Sequence, residues 1–259
     1  MFRPSFLFLT MTIFLMGPLH AQGEGGVFTQ SRLAALKTGE GSLGNNPAGI
    51  EWFNELRRKT AALGRESEVK LEDIEGTVYL NEQFVQGKVF YNDAFYESFM
   101  LRYDAYNDEV EIQRGSSNSL EALHKSLAIS CEILGDRLRY MEYLGKKQES
   151  RRGYLIVLVE GQSYSLYKRY AKIFKEAKPA KTSLQASFPH RFVDEIEYYL
   201  KQEGKNPRYL KLKKSSVLEM LANGPSEKIK HYMKANKIDL GSEEQLLQLV
   251  SHANTISSQ

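Results

Sequence analysis

The chain has 259 residues, 42% of them hydrophobic and 26% charged, with a formal net charge of +3, 15 tyrosines, 13 phenylalanines and a single cysteine. So small a charge excess argues against a dedicated nucleic-acid binder, and the length suffices for one large domain or for one domain with appendages. With only Cys131, no intramolecular disulfide can form, and stability has to come from packing.

The first element in chain order is a leader. Arg3, an apolar run from Phe6 to Met16 and a small-residue exit at Ala21 read as a secretory signal peptide over residues 1–21. A spanning helix needs about 20 apolar residues, and Gly17-Pro18 interrupts this run sooner, so no transmembrane span is expected in the mature chain. No cysteine follows the run to carry a lipid. Cleavage after Ala21 leaves 238 residues and, with Arg3 gone, a net charge of +2; cleavage after Gly23 is the alternative. The expected location is periplasmic or extracellular, with a bacterial envelope protein the best match to a disulfide-free exported chain.

Residues 22–75 differ in composition from the rest of the chain. Eight of the nineteen glycines lie between Gln22 and Gly64, whereas all fifteen tyrosines lie between Tyr79 and Tyr232. Glycine-rich, aromatic-poor sequence buries too little apolar surface to offset its ordering entropy, so residues 22–46 read as a mobile arm that would dock a protein partner. Within this stretch, Asn46 as N-cap, Pro47 at the first helical position, an Ile50/Phe53/Leu56 face and Gly64 as stop predict a helix over 47–63. Docking onto the adjoining domain is its expected role; the alternative lays Trp52, Arg57, Arg58 and Lys59 on a membrane surface.

Residues 76–213 predict an antiparallel β domain. Thr77–Leu80, Gly87–Tyr91 and Phe95–Tyr103 are rich in β-branched and aromatic residues, with Asn92-Asp93 as a two-residue hairpin turn. Val110–Gln113 continues the meander, and Gly115–Ser119 reads as a polar loop. Further strands are expected at 126–134, 137–144, 153–160, 163–174, 192–202 and 207–213, joined in part by Gly161-Gln162 and Glu203–Pro207. Cys131 falls inside one of them and reads as a packed, inert thiol. So many short strands imply a curled sheet, partly closed or half-barrel-like. Residues 214–259 predict three helices on that sheet, from the Ser216/Glu219 and Ser242/Gln245 capping-box spacings and Gly224-Pro225. The fold class is therefore α+β, mainly β.

Three segments carry a resemblance. Tyr79-Leu-Asn-Glu82, Gly87-Lys-Val89 and Leu101–Glu109, then Leu166-Tyr-Lys-Arg-Tyr170, then Lys228 through Asn236–Leu240 to Leu249, are together similar to a group of uncharacterised secreted β-rich proteins common in Bacteroidota. The resemblance covers about residues 74–255 and implies an exported fold, with no catalytic residue to carry over.

Catalytic patterns are sparse. No HExxH, CxxC or phosphate loop occurs, and His124, His190, His231 and His252 include no pair at the i, i+4 spacing of a helical metal site; neither a metal nor a cofactor is expected. Asp104, Asn107, Asp108 and Glu109 form the densest acidic cluster, which fits a tight turn better than a calcium loop. The leading expectation is a non-enzymatic envelope protein that binds a ligand or scaffolds through its curved sheet. Phe95, Phe99, Met100 and Tyr103 are the candidate contacts for an apolar ligand, since both faces of their strand carry apolar groups and would both be covered. Tyr167, Lys168, Arg169, Lys172, Lys211 and Lys213 interleave tyrosine with cations and are the candidate contacts for an anionic envelope component: lipid headgroup, lipopolysaccharide or acidic glycan. One alternative is a hydrolase of envelope polymers using carboxylates of Asp104–Glu109 with His190; another is an adaptor docking through residues 22–46.

Overall fold

The computed structural model describes residues 28–30, 74–113, 120–178, 187–221 and 226–257. Among them the first lobe is built from β1 (Phe28–Gln30), β2 (Val85–Tyr91), β3 (Ala94–Asp104), β4 (Glu109–Gln113), β5 (Leu120–Leu123) and β6 (Ile129–Ile133). The second is built from β7 (Asp136–Leu144), β8 (Ser150–Val159), β9 (Tyr164–Lys175), β10 (Arg191–Gln202) and the two-residue β11 (Arg208–Tyr209). All eleven join one sheet in the order β1-β5-β4-β3-β2-β6-β7-β11-β10-β9-β8, and β7 pairs with β8 as well. The protein is thus mainly β, with a partly ring-like sheet followed by three helices. The expected helix at 47–63, the arm apart from Phe28–Gln30, the Gly115–Ser119 loop and Gly224-Pro225 lie outside the described residues.

Local chemistry explains most boundaries. Asn92 and Asp93 adopt φ of 49° and 63°, the double left-handed turn whose twist suits a two-residue hairpin, and both residue types tolerate it. Leu134 and Gly135, at 54° and 88°, do the same between β6 and β7. Three expectations need correction. Thr77–Leu80 is no strand but an irregular segment making a single bridge, Tyr79 to Asp104, with Val78 and Tyr79 fully buried. The strand expected over 207–213 shrinks to Arg208–Tyr209, because Pro207 has no N–H to pair and a helix begins at Lys214. Finally, β5 and β1 pair antiparallel, one between the expected Gly115–Ser119 loop and the strand expected from 126, where no element was expected, and the other inside the arm. The β5 sequence, Leu-Glu-Ala-Leu, consists of helix formers that only tertiary pairing turns into a strand.

The sheet forks at β7. Along one edge β7 pairs with β8 through residues 137–144. Along the other, β6 takes residues 136–139 and β11 joins in parallel at Leu144, so neither registers with residues 140–143. This one parallel contact makes the sheet mixed, where a purely antiparallel one was expected. From the fork one branch runs out through β6 to β1, and the other returns through β11, β10 and β9 to β8, closing a ring.

Side-chain parity then divides the interior. Leu138 and Tyr140 on β7 and Tyr154 and Ile156 on β8 join the first-lobe core, with Val89, Leu101, Val110 and Cys131. The odd-numbered neighbours Tyr143, Leu155, Tyr167 and Tyr199 fill the ring instead. Both faces of the β7–β8 hairpin are therefore covered, as period-two alternation requires of a shared wall.

The opposite face of β9 and β10, with Tyr164, Leu166 and Leu200, receives the helices α1 (Lys214–Met220), α2 (Ser226–Ala235) and α3 (Glu243–Ser257). Ser242 caps α3, its Oγ accepting from the Gln245 N–H at 3.4 Å, as the spacing predicts. Ser216 lies inside α1, which begins at Lys214 without a side-chain cap, so the first capping box is not used. Leu246, Leu249 and Val250 are at most 1% exposed, each contributing about 1.5–3 kcal/mol to holding α3 on the sheet. Among the described residues no helix is long and apolar enough to cross a membrane.

Candidate binding site

The four expected apolar contacts are placed in different surroundings. Tyr103 is buried in the first-lobe core, Phe99 packs against its margin, and Met100 and Phe95 are 41% and 60% exposed. The first half of β3 runs beyond the core, and a bulge opposite Val89/Phe90 turns Phe95 onto the Phe90 ring, edge to face at 6.1 Å. Double coverage belongs to β7 and β8, not to this strand.

The first basic run is likewise redirected inward. Tyr167 is 1% exposed inside the ring, out of reach of any surface. Lys168 donates to Glu243 at 2.9 Å, tying β9 to α3; Arg169 pairs with Glu197 at 3.3 Å; Lys172 pairs with Asp194. Strand alternation placed these cations beside carboxylates of β10 and α3, so they act as internal ties. Lys211 and Lys213, by contrast, are exposed.

At the centre of the ring wall, Glu197 accepts from Tyr199 Oη at 2.7 Å and from Lys146 Nζ at 2.7 Å besides Arg169. Burial alone would raise the Glu197 carboxyl, but the hydrogen bonds from Lys146 and Tyr199, with the charges of Lys146 and Arg169, hold it below the usual carboxylate range. A second buried pair fastens the first lobe: the Arg102 Nε donates to Glu111 at 3.0 Å, and its guanidinium lies 3.7 Å over the Tyr79 ring. Desolvation outweighs Arg102 and raises the Glu111 carboxyl. Each charge here has its partner, which is the condition for a stable buried pair.

The acidic turn is built the same way. Asp104 is fully buried, its Oδ1 accepting from the N–H groups of Tyr106 and Asn107 and its Oδ2 from the Asn107 side chain. Glu109 pairs with Lys125 at 3.3 Å. Asp108 accepts from Tyr103 Oη at 2.7 Å and from the Tyr154 N–H on β8. His190 stacks on Phe174, and its Nδ1 accepts from the Ala177 N–H at 3.1 Å. These hydrogen bonds serve turn geometry and lobe closure. Among the described residues no group of three or more His, Cys, Asp or Glu is placed to hold a metal ion.

The concavity with a structural origin is the fork. A cleft of about 520 Å³ opens where β7 residues 140–143 lack a registered neighbour, a size within the usual range for ligand sites. The Asn92-Asp93 turn and Leu127 form one wall, β7 from Arg139 to Glu142 the floor, and the β10–β11 turn with Lys201, Lys205 and Pro207 the other wall. Asp93 bridges Arg137 and Arg139 at 3.1 and 3.0 Å and pins the hairpin tip over the floor. Farther along the same seam a second cleft of about 450 Å³ lies between Lys146, Arg208, Tyr209 and Lys211 and the α1 residues Ser216 and Glu219. Of these residues the sequence offers only Lys211 as a site contact. The signal present in the sequence is the cation excess of residues 201–214.

No protein-family model matches the chain, and no curated protein or solved structure shows significant similarity to it.

Proposed function

We propose that the protein is an exported, non-enzymatic binding protein of the cell envelope that takes its ligand in the cleft at the β7 fork. The observation that carries this reading is the fork itself. Two partner strands share one edge of β7 and leave residues 140–143 between them, so a concavity is built into the topology rather than left by loose loops. Its lining sets the apolar Leu127, Tyr140, Met141 and Pro207 among charged and polar groups, a combination of contact area and orientation. Export rests on the leader-like residues 1–21.

The test is mass spectrometry of aqueous and organic extracts of the protein purified from its own envelope, beside Asn206→Trp, an exposed wall position whose enlargement fills the cleft. A stoichiometric molecule lost from Asn206→Trp at unchanged Tm supports the reading. An empty extract, or a molecule retained by the filled cleft, overturns it.

A further inference from the structure

Resting on that binding reading, we infer that the ligand is a linear polyanion, laid along the β7–β11 seam from the fork cleft into the second cleft below α1. Residues 201–214 contain six cations, Lys201, Lys205, Arg208, Lys211, Lys213 and Lys214, against one acid, Glu203. Lys168, Arg169 and Lys172 are all neutralised by carboxylates. None of the six has a carboxylate within 4.0 Å among the described residues. The Lys205 ammonium donates to the side-chain amide oxygen of Gln202 at 2.8 Å. Arg208 is half-buried, and its buried Nε has no hydrogen-bond partner. Arg137 and Arg139 also leave a buried Nε unpartnered but carry ion pairs to Asp93, whereas the 201–214 set keeps its charge for an external acceptor.

The arrangement of the two clefts gives the shape of that acceptor. Lys201 and Lys205 line the first and Arg208 and Lys211 the second, with β11 between them. From Lys205 to Lys211 is six residues, at most roughly 20 Å of extended chain, a span that a chain of several anionic groups can follow from one cleft into the other. Lys201 and Arg208 are half-buried within concave walls, which a flexible polymer enters and a flat bilayer does not.

The experiment uses the mature chain with polygalacturonate and polyphosphate as probes, galacturonate monomer and neutral dextran as comparisons, and phosphatidylglycerol vesicles as the competing surface. Either charged polymer is expected to bind with log K falling against log salt at a slope of about −3, from four contacted cations at about 0.7 each. Dextran is expected not to bind, and the monomer at least about a hundredfold more weakly than the polymers. Lys205→Glu and Lys211→Glu, both at exposed positions, should each weaken polymer binding by about tenfold. Lys234→Glu on the exposed side of α2 should not, and all three should keep the wild-type Tm.

If monomer and polymer bind alike, or Lys205→Glu weakens binding while Lys211→Glu does not, the cleft holds a small ligand. The polymer inference then falls and the binding reading survives. Vesicle binding tighter than either polymer overturns the inference in favour of a membrane surface. Failure of every anion to bind overturns the inference alone if a neutral molecule co-purifies in the fork cleft, and both readings if nothing does.

Discussion

One of the ties between the lobes is the Asp108 carboxylate, and Gly153 is the residue that admits it. Asp108 sits in a left-handed conformation, φ 56°, in the β3–β4 turn, and its side chain reaches across to β8. There it accepts from the Tyr154 N–H, on the edge of β8 that has no registered strand below Ile156, and from the buried Tyr103 hydroxyl. A methyl group built at Gly153 collides with Asp108 Oδ2 and lies 3.3 Å from Tyr143 Oη. Since Asp108 is held by its unusual backbone, the carboxylate in Gly153→Ala has to rotate away and give up both donors. Loss of hydrogen bonds to a charged group costs about 1.5–3 kcal/mol, and residual crowding adds about 1 kcal/mol. For a domain of this size that lowers Tm by roughly 5–15 °C. Asp108→Ala gives up the same bonds without the crowding. The double variant therefore should be no more than a few tenths of a kcal/mol below Asp108→Ala, a coupling of about 2–3.5 kcal/mol in a cycle of urea unfolding measurements. Additive losses would refute the clasp and leave Gly153 as an ordinary strand glycine.

Other positions carry their own expected outcomes. The Cys131 thiol is fully buried and pushed up to about 12 by desolvation against the opposing pull of Arg137; it should resist a disulfide exchange reagent at pH 8 in the native state and titrate as one thiol in guanidinium. A thiol reactive in the folded protein would contradict that burial. The Asn254 side chain on α3 both accepts from the Tyr164 N–H and donates to its carbonyl, each at 2.9 Å. Asn254→Ala should therefore cost about 1–3 kcal/mol and speed amide exchange in α3 while leaving β2–β6 protected; uniform exchange would instead mean that α3 does not open on its own. Glu197, with its folded pKa below the unfolded value, contributes stability that is present above the unfolded carboxylate range and is lost as pH falls through the folded pKa. Glu197→Gln should be less stable than wild type at pH 7, and the gap should close on acidification below about pH 4.5; a constant gap would remove Glu197 as the titrating group.

How far the sequence reveals this protein depends on the range of the interaction involved. Strands whose pattern is local are legible: β9 and β10 carry their own alternation, and the Asn92-Asp93 turn carries its own backbone preference. β5 is not legible, because nothing in Leu-Glu-Ala-Leu favours extension until β4 and β1 flank it. The candidate site is harder still. Two runs of cations, 168–172 and 201–214, look equivalent in composition, and what separates them is which carboxylates the fold delivers. β10 brings Asp194 to Lys172 and Glu197 to Arg169, and α3 brings Glu243 to Lys168. β11, two residues long and joined in parallel to β7 at a single register point, brings no carboxylate within ion-pair distance of its neighbouring cations among the described residues. The feature that makes the second run available is therefore the shortness of β11, which Pro207 and the early start of α1 impose. Extending that strand by Pro207→Val, and so narrowing the fork over residues 140–143, should reduce ligand retention without removing a single cation. Retention equal to that of wild type would separate the cations from the cleft and place their partner elsewhere on the surface.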